Sequence, residues 1–197
     1  DTTYLGFDDT LFSGVAPISV DENTGQNSII IVPGANYGFF AADVRSAAPA
    51  IQNADVLICQ LEILMESTLE AFRVAKQAAN PPITILNPAP AANLPDELLA
   101  LTDILAPNEV EAAMLTGLPV DTTEQTEAAA RALQAKGPRT VVMTLGKRGA
   151  LFVEGDSPAQ MVPAEVVQAV DSTGAGDAFV GSLAYFLGAK IPLREAV

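Results

Sequence analysis

Short apolar runs alternating with amphipathic stretches constrain this chain more than any other feature. The runs fall at residues 29–32, 56–59, 83–86, 103–105, 141–144 and 151–153, each of strand length. Most are separated by stretches that carry helix punctuation. Ser67-x-x-Glu70 and Thr122-x-x-Gln125 have the form of capping boxes, the first ahead of the helical spacing Leu69, Phe72, Ala75. Gly117 and Gly137 stand where helices would end in a left-handed turn, and Pro49 predicts a kink in a helix over residues 41–51. Strand alternating with helix means a mostly parallel sheet with helices on its faces, a three-layer α/β/α body. The loops at residues 80–82 and 87–90 are proline-rich and rigid, since a strand sits beside each.

The first thirty residues follow another pattern. Residues 14–20 and 28–32 read as two strands around a polar turn at residues 21–25. This predicts a small β lid at about residues 10–34, beside an α/β body at about residues 35–197. On the lid, apolar Ile18, Val20, Ile29 and Ile31 would form one face, expected to be covered by a partner or by further strands.

Composition then narrows the chemistry. Half of the 197 residues (49%) are apolar and 17% are charged, so the chain can bury a core and is not intrinsically disordered. Twenty-four acids against ten bases give a net charge of −14, which argues against nucleic acid or an anionic membrane as partner. No apolar run approaches the ~20 residues of a membrane span. A single cysteine, Cys59, cannot form an internal disulfide, and points to a reducing compartment such as the cytoplasm. Histidine is absent altogether, which removes Ser-His-Asp and Cys-His nucleophiles and most zinc sites. Carboxylates, hydroxyls, lysine, arginine and backbone amides remain. The chain opens without Met and closes just as residues 192–196 begin a helix, so both ends read as cuts through a longer protein.

The stretch richest in chemistry is Asp171-Ser172-Thr173-Gly174-Ala175-Gly176-Asp177-Ala178-Phe179. Phe179, Leu183 and Phe186 share a helical face, so a helix begins near Ala175. A Gly-x-Gly turn at that point leaves amide N–H groups free at the positive end of the helix dipole, an anion hole suited to phosphate. Asp177, in the same turn, is placed to take a proton from an attacking hydroxyl. The same residues would also serve simply as a tight turn with an acidic cap. A dinucleotide fingerprint fails because Phe179 stands where a third glycine is needed, and no Gly-Lys-Ser/Thr of a Walker A loop occurs.

That nine-residue string resembles the second signature of the ribokinase-like (PfkB) carbohydrate kinases. Five further strings resemble the family in order and spacing: residues 27–36, 59–62, 87–90, 106–112 and 144–149. The resemblance implies ATP-dependent phosphorylation of D-ribose at O5, with Asp177 as catalytic base and the amides of Gly174, Ala175 and Gly176 as anion hole. It implies an ATP site at Asn108, Thr144, Leu145, Gly146, Lys147, Arg148, Gly149, Gly176 and Asp177, and substrate contacts from Glu62 and Asp177. It implies Mg²⁺ as cofactor, held by Glu111 through water, and K⁺ as activator, held by Asp171 and Thr173. A cytoplasmic homodimer formed through the lid follows from the same resemblance, with further sugar and K⁺ ligands expected outside residues 1–197. Asn108-x-x-Glu111 also reads as an ordinary N-cap with its partner, and both roles are compatible. Two alternatives stay open: another sugar or nucleoside kinase of the family, or a silent member serving as a binding component.

Overall fold

The computed structural model describes residues 2–20, 22, 27–167 and 173–197. The strands β1 (Ile18–Val20) and β2 (Asn27–Ile29) form an antiparallel pair with Ile18 opposite Ile29, extended by a bridge between Val15 and Val32. The turn expected between them falls largely outside the described residues. Ile18, Ile29 and Ile31 are all exposed in this single chain.

The body follows in alternation. Helices α1 (Ala41–Ser46) and α2 (Ala48–Gln52) precede β3 (Val56–Cys59), α3 (Met65–Lys76), β4 (Ile83–Leu86), α4 (Asp96–Ala100) and β5 (Ile104–Leu105). Then come α5 (Glu109–Thr116), α6 (Thr123–Gln134), β6 (Thr140–Thr144), β7 (Ala150–Glu154), β8 (Gln160–Val162), α7 (Ala175–Gly188) and α8 (Leu193–Ala196). The expected kink at Pro49 is a full break at Ala47; Pro49 sits in the first turn of α2, where its missing N–H is no loss.

The six strands β3 to β8 lie in sequence order, parallel from β3 to β6 and antiparallel from β6 to β8. Only the parallel part needs helical crossovers; β7 and β8 return through short turns. Successive residues of each inner strand go to opposite faces. Leu86, Leu105, Val141, Met143, Leu151 and Val153 face the layer of α3 and α6, while Ile85, Ile104, Val142 and Phe152 face α7. Two-sided burial of this kind is why the strands read as unbroken apolar runs.

One expected cap is corrected by the structure. α3 starts at Met65, so Ser67 lies inside its first turn and caps nothing. Ser67 is buried, and its hydroxyl donates to the Phe39 carbonyl oxygen at 2.7 Å, tying α3 to the segment before α1. Glu70 instead accepts from Arg45 at 3.0 Å. The cap at Thr122 does form, with its side chain accepting from the Gln125 N–H, and α5 ends at Gly117 with φ +73°. α7 buries Val180, Leu183, Ala184 and Leu187, whereas Phe186 is exposed. Its buried stripe is thus rotated by one residue from the expected face.

Phe72 is completely enclosed between α3 and the sheet. Phe72→Ala is expected to lower unfolding free energy by about 3–5 kcal/mol, read from urea denaturation. A loss below ~1 kcal/mol would mean that this layer does not pack as described.

Candidate active site

Parallel strands bring their carboxyl ends, and the loops that leave them, to one edge of the sheet. α7 runs antiparallel to them: the end of this helix at Gly188 lies beside Asp55 and Val56 at the start of β3, and its beginning lies at the strands' carboxyl ends. The chain enters α7 through Gly174, whose φ of +74° suits a residue without Cβ. The first helical hydrogen bond is Ala178 N–H to the Gly174 carbonyl, at 2.9 Å. The helix therefore makes no use of the N–H groups of Ala175, Gly176 and Asp177. Added Cβ atoms at Gly176 and Gly181 would meet nothing within 4 Å, so the turn is open on both sides.

Two cavities flank that turn. The larger, about 650 Å³, has Ala175, Gly176 and Phe179 as one wall. Its other walls are Asn108, Glu109 and Val110 at the start of α5, Thr144, Gly146 and Gly149 after β6, and the segment from Val162 to Glu165. The smaller, about 270 Å³, is bounded by Asp177, Val180 and Gly181 together with Ile58, Gln60 and Asn87 from the ends of β3 and β4. Positions 176 and 179 share one side of the helix and 177, 180 and 181 another, so a single turn forms a wall of both cavities.

The turn after β6 is shaped by backbone. The Thr144 N–H donates to the Pro107 carbonyl at 3.0 Å, which extends parallel pairing beyond β5. Gly149 has φ +94°, and a Cβ there would come within 2.0 Å of the Val162 carbonyl oxygen. Leu145, expected at the nucleotide, points its side chain into the core at 2% exposure. Arg148 donates to the Glu109 carboxylate and to the carbonyls of Val120 and Asp121, so it latches this turn to the loop before α6. Lys147 is exposed and lies outside the cavity walls.

Asn108 and Glu111 form a reciprocal cap. The Glu111 carboxylate accepts from the Asn108 backbone N–H and side-chain amide, each at 2.9 Å, and the Glu111 N–H donates to Asn108 Oδ1 at 2.8 Å. Glu111 is only 8% exposed, and burial pushes its carboxyl above the ordinary value against the opposing effect of those hydrogen bonds. No cation among the described residues forms an ion pair with it. Each oxygen keeps a lone pair, which suits a divalent ion held chiefly by phosphates and water rather than by a protein cage. Among the described residues, no three acidic, Cys or His side chains cluster as a metal site.

Glu62 is exposed in the bend after β3, outside the smaller cavity's walls. Thr173 is exposed in the turn before Gly174, while Asp171 lies outside the described residues. Sequence reasoning missed the wall from Val162 to Glu165, because β8 carries no apolar run, and it placed Asn87 in a rigid loop and in a string resembling the family without giving its side chain a role. Cys59, expected to be inert, is buried, and burial pushes its thiol up to about 12.

Two cavities of substrate size thus meet at one helix turn on the carboxyl edge of an α/β sheet, the edge at which such sheets bind small ligands. The whole chain, residues 1–197, matches the pfkB family carbohydrate kinase model. The protein belongs to that family. It is 46% identical over 172 residues to the bifunctional ribokinase/ribose-5-phosphate isomerase A of Fructilactobacillus sanfranciscensis, covering 87% of this chain and 31% of that protein. It is 40% identical over 187 residues to the deoxyribokinase of Salmonella typhi, covering 94% of this chain and 60% of that one. The solved Arabidopsis thaliana ribokinase, in complex with ribose and ATP, superposes with a TM-score of 0.84 at 30% identity, over 95% of this chain and 60% of that one. The chain thus spans between about a third and three fifths of these relatives' lengths.

Glu111 yields a test through pH. Its carboxyl is raised in the fold, so stability is lost as pH climbs from the unfolded value, about 4.5, through the folded one. Glu111→Gln removes the titration. Relative to the parent, the variant is expected to gain unfolding free energy as pH rises above about 4.5 and to level off once the folded carboxyl has ionised, in urea melts run from about pH 4 to about pH 8. A constant difference across that range would contradict the burial of an unpaired charge.

Proposed function

We propose that the protein transfers the terminal phosphoryl group of ATP to O5 of D-ribose. The observation that carries this reading is the first turn of α7, which presents Gly176 to one cavity and Asp177 to the other. ATP occupies the larger cavity, its phosphates toward the free N–H groups of Ala175 and Gly176. The sugar occupies the smaller. Asp177 takes the proton of the primary hydroxyl as its oxygen bonds to phosphorus, the bond to the leaving ADP oxygen breaks, and the amides hold the charge of the transferring group. Asn108, Thr144, Gly146 and Gly149 line the nucleotide side, and Arg148 acts by fixing their turn. Mg²⁺ bound with the nucleotide would neutralise phosphate charge, with Glu111 beside it through water. Glu62, in the bend after β3 and outside the walls of the smaller cavity, would contact a part of the sugar that extends beyond them, and Asp171 with Thr173 would hold K⁺ near the turn. A cytoplasmic homodimer that covers the apolar residues of β1 and β2 completes the proposal.

A second reading, phosphorylation of 2-deoxy-D-ribose, is favoured by 40% identity to a deoxyribokinase. Rates on the two sugars decide between them: the proposal expects kcat/KM to be higher for D-ribose, and preference for the deoxy sugar would overturn it. For the mechanism, Asp177→Asn in the intact protein is expected to cut kcat by ~10²–10⁴ with little change in either KM. Asparagine caps a helix about as well as aspartate, so a purely structural Asp177 would leave turnover near the parent's.

A further inference from the structure

Asn87 follows β4 directly, at the carboxyl end of a strand in the middle of the parallel array. Its backbone is fully employed by the fold: its N–H donates to the Cys59 carbonyl at 2.9 Å. Its side chain is not. Oδ1 is buried and has no hydrogen-bond partner among the described residues, the one such buried side-chain atom there. Leaving a buried acceptor without a partner forfeits its hydration with nothing in return, and the great majority of buried polar atoms in folded proteins have a partner. Nothing in the surrounding fold asks for an amide at this position. A leucine would fill a similar volume beside Ile58 and Val180 without the orphaned oxygen.

Asn87 lines the smaller cavity, as Asp177 does. An ionised carboxylate there accepts hydrogen bonds only, whereas an amide both accepts and donates, and a half-turn about its last torsion exchanges the two ends. A hydroxyl is donor and acceptor at once and can meet either. We propose that Asn87 is a substrate-binding residue of the phosphoryl-acceptor cavity, completed by a ring hydroxyl of the sugar whose primary hydroxyl Asp177 deprotonates. The inference rests on the reading of that cavity as the acceptor site and adds to it a contact that orients the sugar. The orphaned oxygen is then stability given up for recognition.

The test uses Asn87→Leu and Asn87→Ala in the intact protein, with thermal unfolding measured in the absence of substrates. Asn87→Leu is expected to melt no lower than the parent, while KM for the acceptor sugar rises at least ~10-fold and KM for ATP stays within about twofold. Asn87→Ala keeps the test open if leucine is too large, and should show the same split between the two KM values. Unchanged sugar KM and kcat in folded variants would overturn the inference. So would a rise confined to the KM for ATP, since the hydroxyl would then come with the nucleotide. A large fall in melting temperature for both variants would return Asn87 to a structural role. If the parent phosphorylates no pentose, the functional reading fails and takes this inference with it. An active parent with indifferent Asn87 variants removes only the inference.

Discussion

Parallel pairing of β3 to β6 is the constraint from which the rest of the structure follows. Adjacent parallel strands cannot be joined by a tight turn, so each is followed by a helix that returns across a face of the sheet. Both faces are consequently covered, and every inner strand must be apolar on both sides. The carboxyl ends fall along one edge, where the loops after β3, β4, β5 and β6 collect. Gln60, Asn87, Asn108 and Thr144 come from those four loops or strand ends, and far apart in sequence they share one rim.

Much of this was legible because two-sided burial writes an unmistakable pattern. Residues 56–59, 83–86 and 141–144 became strands almost to the residue, since no other arrangement hides such runs. Where burial is one-sided or partial, the pattern thins. β8 is only half-buried and begins with Gln160, so nothing in its sequence announces a strand. Ser67-x-x-Glu70 matches a cap in form, but a motif cannot reveal that Leu64 already begins the helix or that the Phe39 carbonyl needs a donor. Those facts belong to tertiary packing, which overrides local preference.

The candidate site divides the same way. Gly174-Ala175-Gly176-Asp177 is legible because left-handed entry, free amides and a carboxylate are local properties of consecutive residues. The division of that turn between two cavities is not, for it depends on which strands approach from each side. Leu145 and Gly146 are neighbours in one string, yet one fills the core and the other opens on a cavity, an alternation set by the end of β6. Arg148 belongs to the string that resembles the family's nucleotide site, and no local pattern foretells that its guanidinium is engaged by Glu109 and two carbonyls.

The first turn of α7 works as a partition with independent sides. Gly176 and Phe179 belong to one compartment, and Asp177, Val180 and Gly181 to the other. On the proposed reading, a replacement at 180 or 181 reshapes the acceptor's chamber without touching the donor's, and a replacement at 179 does the reverse. On the same reading the reacting atoms meet at the edge between them, where the Gly176 side of the turn adjoins the Asp177 side. A scaffold divided in this way can vary one chamber while the other stands still, through changes as small as one methyl group on a single helical face.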